Sequence, residues 1–217
     1  MRKLLPILLW SVILSCGDSD FKIRPGDLLF QQWDGTSFAE AINKVTHGRD
    51  NIDYAHVGLV VEDEGKLWVL EAIQTEGVTL TPLDTFLYAS TTESGLPRVS
   101  VGRLQADYSE AIPDILNWAQ GKLDYAYDTL FVYGNDRYYC SELLLDAFNS
   151  QTGEEVFSLA SMTFKDPESK EFFSVWVKYF AELNKPIPEG MPGINPGLMS
   201  RSEKLDIVHH YFQKKKR

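Results

Sequence analysis

The sequence predicts an α+β domain, on three observations. Apolar, β-branched runs crowd the first half, segments with helical spacing dominate the second, and no repeat or linker composition marks a second domain. Taken in order, "IRPGDLLFQQW" is a Pro-Gly turn feeding a short strand, and "TSFAEAINKVTHG" (36–48) has helical character with a glycine stop. "YAHVGLVVE" (54–62), the turn "DEGK" and "LWVLEAI" (67–73) read as a two-stranded hairpin. "GVTLTPLDTFLYAS" supplies a third strand and a short helix after Pro82, and "RVSVGRL" (98–104) alternates as a further strand. A helix is expected over 107–121, with a capping pattern at Asp107 and Glu110 and with Pro113 in its first turn or bending it. The next runs over 140–150, where Leu143, Leu144, Ala147 and Phe148 recur at three- and four-residue spacing. A helix with an aromatic face is expected over 168–183. The Pro- and Gly-rich "NKPIPEGMPGINPGLMS" is expected as a long loop or arm, and "EKLDIVHHYF" as a closing strand or helix end.

Ahead of these lies a different kind of segment. Arg2 and Lys3 precede "LLPILLWSVIL", an apolar run too short for a good membrane span, which stops at "SCGDSD". "ILSC" looks like a bacterial lipobox, so Cys16 is the expected lipidated first residue of an exported cell-envelope protein, outer-membrane by expectation. The alternative is a plain secretory signal with a chance cysteine. The expected organisation is a signal peptide (1–15), a lipidated tether (16–22) and one catalytic domain (23–217). Removing 1–15 takes two of the 21 basic residues, Arg2 and Lys3, and none of the 31 acidic ones, which moves the formal charge from −10 to −12. That balance argues against nucleic acid or an anionic surface as main partner. The terminal "KKKR" reads as a solvated tail.

With Cys16 committed to lipid, Cys140 has no partner for an intramolecular disulfide, and a lone thiol in an oxidising compartment needs a reason. Cys140 opens its predicted helix. There free N–H groups and the positive dipole end favour a thiolate, with Arg137 near in sequence. The same spacing also permits an inert place on the buried stripe with Leu143 and Leu144. A thiolate nucleophile needs an imidazole. Of four histidines, His209 and His210 read as surface residues beside a basic terminus, and His47 as a helix C-terminal residue. His56 lies inside an apolar strand, either as a satisfied core histidine or as the base. Gly58, two residues on, clears space on the same face. Glu71 ends the apolar face of Leu67 and Val69 on the paired strand, as the strand's wet end or as the acceptor behind His56. Glu142 is a rival acceptor, or a favourable first-turn charge on its own helix.

"RPGDLLFQ", "YAHVGLVV", "VLEA" and "YYCSELL" together resemble the permuted papain-like branch of the NlpC/P60 superfamily, the YiiX/YaeF-like group, over about residues 23 to 150. The histidine and third polar residue precede the cysteine, the circularly permuted order. The resemblance implies an antiparallel sheet or partial barrel packed against the cysteine helix. It also implies Cys140 as nucleophile, His56 as general acid and base, and Glu71 as orienting residue. Asp27 and Gln31 are expected to line the cleft through the N-terminal motif, Tyr138 or Tyr139 to border it, and the Cys140 N–H to serve the oxyanion. The expected reaction is acyl transfer from an amide or ester through an acyl-enzyme, with no cofactor and no metal. Cell-wall peptides, other small amides and lipids are the substrate classes. A lipid-directed acyltransferase or esterase and a non-catalytic binding lipoprotein are the rival readings. A redox protein fits poorly without CxxC or a resolving cysteine.

Overall fold

The computed structural model describes residues 21–33 and 35–213. The expected signal peptide, Cys16 and the "KKKR" tail lie outside the described residues. Of the expected tether, Phe21 is described, and its ring stacks on His209 at 4.3 Å.

Six antiparallel strands form one open sheet: β1 (Leu28–Gln31), β2 (His56–Asp63), β3 (Lys66–Ile73), β4 (Gly77–Pro82), β5 (Val99–Leu104) and β8 (Leu205–His210). Their order is β4-β3-β2-β1-β5-β8. β4 and β8 are separate edges, so the sheet does not close into a barrel. The β2–β3 hairpin turns through Glu64 (φ 49°) and Gly65 (φ 74°), two successive left-handed residues that match the right-handed twist of the flanking strands. The chain end takes the strand alternative, because β8 pairs with β5 (Leu104↔Leu205). This contradicts a simple division into strands first and helices second. His209 and His210 are thereby half-buried, not surface residues.

Period-two patterning splits the buried side chains between the two faces of the sheet. Leu28, Phe30, Val57, Leu59 and Leu70 face one core, shared with α3 (Ile112–Gln120) and α4 (Cys140–Thr152). Leu29, Val60, Val69, Val99 and Val101 face a smaller one with Phe86 of α2 (Leu83–Tyr88). A third cluster of Ala41, Phe164, Trp176 and Phe180 joins α1 (Ser37–Val45) to α5 (Ser174–Glu182).

Two helices are shorter than the pattern suggests. α3 starts at Ile112 because Pro113 takes its first turn, and Ala106–Ala111 is a 3-10 turn with no side-chain cap from Asp107. α5 starts only at Ser174, because the chain before it reverses and Phe173 N–H bonds back to the Phe164 carbonyl. The Pro- and Gly-rich arm is ordered. It contains β7 (Pro192–Gly193), paired with β6 (Ala160–Ser161), and α6 (Pro196–Ser200).

Candidate active site

Three elements converge at one end of the sheet. Cys140 is the first residue of α4, preceded by Tyr139 in extended conformation (φ −93°, ψ 167°). The first-turn N–H groups of a helix have no intrahelical partner, so this end presents donors and a positive partial charge beside the sulfur. Cys140 is 9% exposed and is a free thiol.

His56 opens β2 and is buried. Its Nε2 lies 2.5 Å from Glu71 Oε2, which leaves Nδ1 as the nitrogen available to the Cys140 side chain. Burial alone would lower the imidazole pKa. The Cys140 sulfur, as charge and hydrogen-bond partner, and the Glu71 carboxylate outweigh it and push His56 up to about 10. Both partners favour the imidazolium form of the ring.

Glu71 is buried on β3, not at a wet strand end. The register Leu59↔Leu70 brings it beside the start of β2. Its second oxygen, Oε1, accepts from Thr81 Oγ1 on the next strand. Both carboxylate oxygens are thus fixed, which holds the imidazole tautomer and plane. Glu142 does not compete, because it is fully buried and accepts from Gly134 N–H at 2.9 Å.

The flanks of Cys140 fix its surroundings. Tyr139 Oη accepts from Ile194 N–H at 3.2 Å, and Ser141 Oγ donates to the Ile194 carbonyl at 3.0 Å. One residue of the arm is clasped from both sides of the thiol, which pins β7 and α6 against the site. Gly193 is required there: a Cβ would lie 2.4 Å from Met162 Sδ and 3.1 Å from Tyr139 Oη.

These residues border a cavity of about 430 Å³ whose wall includes Cys140, His56, Tyr127 and Tyr139. Beyond them the wall is mainly apolar, with Phe38, Ile42, Phe131, Met162, Phe164 and Trp176. Among the expected cleft residues only Tyr139 is on this wall. Tyr138 points elsewhere, and its ring lies 6.2 Å from that of Trp118 and 5.6 Å from Lys122 Nζ. Asp27 is not in the cleft. It is fully buried further along the sheet, where Arg103 donates to it at 2.7 and 2.8 Å and Arg24 N–H at 3.0 Å. A carboxylate there closes the Pro-Gly turn and fixes the start of β1.

Gln31 stands one layer behind the cleft. It pairs with His56 in the β1–β2 register. Its Nε2 donates to the Phe86 carbonyl at 2.8 Å, and its Oε1 accepts from Trp33 Nε1 at 2.6 Å. Trp33 in turn stacks on the His56 ring, with centroids 5.2 Å apart and an interplanar angle of 21°. The sequence reading missed Trp33 and Thr81. "QQW" carries the tryptophan just past a strand end, a signal that needed the β1–β2 register to interpret. Thr81 had no signal before the β3–β4 pairing. The aromatic run 125–139 could by its sequence line a pocket or pack beneath the cysteine helix, and Tyr127 takes the first place. Arg137 is exposed and is not on the cavity wall.

Known proteins share this chain's fold and sequence pattern. The chain is 27% identical over 150 residues to the uncharacterized protein YiiX of Escherichia coli strain K12, covering 69% of each chain. Its fold matches a crystal structure of YiiX from Escherichia coli O157:H7 with a TM-score of 0.69 and 26% identity, over 89% of this chain and all of that one. That protein is described as a metalloprotein. In the present chain no three His, Cys, Asp or Glu side chains among the described residues converge into a set able to hold a metal ion, and nothing below is routed through one. Residues 22–209 match the sequence pattern of the permuted papain-like amidases. The chain belongs to that family, the YaeF/YiiX group or C92 family, and is an amidase-type hydrolase.

Proposed function

We propose that the chain cleaves amides through a Cys140–His56–Glu71 triad and a thioester intermediate. The observation that carries this reading is the buried imidazole with Glu71 on one nitrogen, sharing the cavity wall with Cys140 at the start of α4. The Cys140 thiolate attacks the carbonyl carbon, and the C=O electron pair moves to oxygen, beside the free N–H at the start of α4. His56 Nδ1–H protonates the departing nitrogen, the C–N bond breaks, and a thioester remains. Water then gives one proton to His56 and adds to the thioester. The thiolate leaves, the acid is released, and the imidazolium is restored.

The apolar wall favours an apolar acyl group over a cell-wall stem peptide as the fragment carried by sulfur, since burying hydrocarbon contributes roughly 25 cal/mol per Å². It likewise supports a second reading, acyl transfer or ester cleavage on lipids. Lipidation at Cys16 would hold the domain next to such substrates, and export to the cell envelope belongs to the same proposal. The test is turnover of N-acyl amides of increasing chain length by the full chain and its Cys140→Ala variant. Hydrolysis that rises with acyl length and vanishes in Cys140→Ala is expected. Turnover that persists without the thiol overturns the nucleophile assignment, and ester cleavage without amide cleavage selects the second reading.

A further inference from the structure

The cavity's electrostatics contrast with those of the whole chain. The protein carries 31 acidic and 21 basic residues, yet among the described residues no aspartate or glutamate is on the cavity wall. Besides His56, the charged residue there is Arg201. Most other cations near this face are engaged. Lys44 pairs with Asp166 at 2.6 Å, and Arg49 donates to the carbonyls of Ser200 and Ser202 at 2.9 and 2.6 Å. The Arg201 guanidinium has neither a side-chain hydrogen bond nor an ion pair among the described residues.

The backbone that carries Arg201 is nonetheless well fixed. It is the C-cap of α6, whose N-cap Asn195 accepts from Leu198 N–H at 2.8 Å and donates to Thr46 Oγ1 at 2.9 Å. The preceding residue, Ile194, is the one clasped by Tyr139 and Ser141 on either side of the nucleophile. A short ordered path therefore sets the backbone of Arg201 relative to Cys140. Phe164 and Trp176 make an enclosed aromatic end of the wall, whereas Arg201 is exposed.

We propose that Arg201 reads a carboxylate on the amine side of the scissile bond, so that the substrates are N-acyl amino acids. This deepens the amidase reading above and rests on its assignment of Cys140. The apolar acyl chain occupies the enclosed aromatic end. The departing fragment lies toward the open rim, where a fork of N–H donors suits a carboxylate. Among the described residues the wall presents one unpaired guanidinium and no carboxylate, a balance that favours anions over ammonium-bearing fragments. The reaction balances as acyl–NH–CHR–COO⁻ plus water giving a fatty carboxylate and a zwitterionic amino acid.

Binding and turnover are measured separately. Calorimetry on the full-length Cys140→Ala variant compares N-octanoylglycine with N-octanoylglycinamide, which differ only in the carboxylate. About tenfold tighter binding of the acid is expected. The preference should be lost in Cys140→Ala/Arg201→Gln, partly kept with Arg201→Lys, and weakened by salt. With Cys140 intact, the same preference should appear mainly in KM. Equal binding of the two compounds, binding of neither at millimolar concentration, or a preference unchanged by Arg201→Gln overturns the proposal. A carboxylate preference in binding with no Cys140-dependent turnover leaves Arg201 standing and removes the amidase reading instead.

Discussion

The imidazole of His56 is enclosed on more sides than its two hydrogen-bonding partners account for. Trp33 covers one face, and Gln31 holds that indole by its N–H while its own amide is tied to the backbone of α2. An indole face near an imidazolium contributes about 0.5–1 kcal/mol when partly exposed, as Trp33 is at 37%. Trp33→Ala is expected to slow iodoacetamide alkylation of Cys140 at pH 6 by roughly two- to fivefold. Gln31→Leu should do so to a lesser degree, and Trp33→Phe should recover most of the rate. Glu71→Gln removes the charge that steadies the imidazolium and is expected to cost about 10²-fold or more in turnover, with KM little changed. The His56→Ala control should slow alkylation further than either. At this scale the sequence was most legible where chemistry restricts residue type: thiols and imidazoles are few and stand in diagnostic runs, whereas Glu71 is one of 31 acidic residues. Trp33 and Thr81 act through strand register, and Asp27 acts at the far end of a strand from where its motif suggested. Pairing, not residue type, decides those three.

Among the elements, β2 and α4 set the site, and their packing is tight where they meet their neighbours. Gly58 lies on the same strand face as His56, and a Cβ there would come within 2.3 Å of Val69 Cγ1 and 3.2 Å of Phe86 Cε2. Gly58→Ala is expected to destabilise the fold by about 1–3 kcal/mol, seen as a lower denaturant midpoint. Because Phe86 also stands 5.8 Å from the His56 ring, turnover should fall more than the lost folded fraction explains. Strands and the cysteine helix were readable from period and turn chemistry, since "DEGK" and the run after Cys140 carry strong local signals. For α3 the first-turn place of Pro113 was one of two options the sequence allowed. The start of α5 was not readable, because a reversal held by one long-range backbone bond depends on contacts outside any short window.

At the scale of the whole molecule, Glu142 stands out as a carboxyl buried inside an acidic chain. Burial raises it most and the charges of Asp128 and Asp146 add, against the N–H groups of Gly134 and Tyr139, leaving it pushed up to about 7. An acid whose pKa is higher folded than unfolded binds more protons in the native state. Its contribution is therefore favourable below about 4.5 and is lost as pH climbs through about 7. Chemical denaturation should show the difference between wild type and Glu142→Gln moving by roughly 1–3 kcal/mol in the variant's favour from pH 4.5 to 8. A pH-independent difference would remove Glu142 from that account. The class of fold was legible because alternation and helical spacing coexist in one domain-sized chain. The open sheet with the last strand returning to its edge was not, since β8 alternates weakly and its partner lies about a hundred residues earlier. One further consequence follows from the order of parts along the chain. His56, Glu71 and Cys140 are all in place by the end of α4, whereas Met162, Phe164, Trp176 and Arg201, which shape the cavity, come after it. Part of the cavity wall is therefore encoded apart from the reactive groups, although Trp33, Phe38, Ile42 and Phe131 are not. Drift or recombination in the last third can give a descendant lineage a new diet while the ancestral chemistry is inherited unchanged.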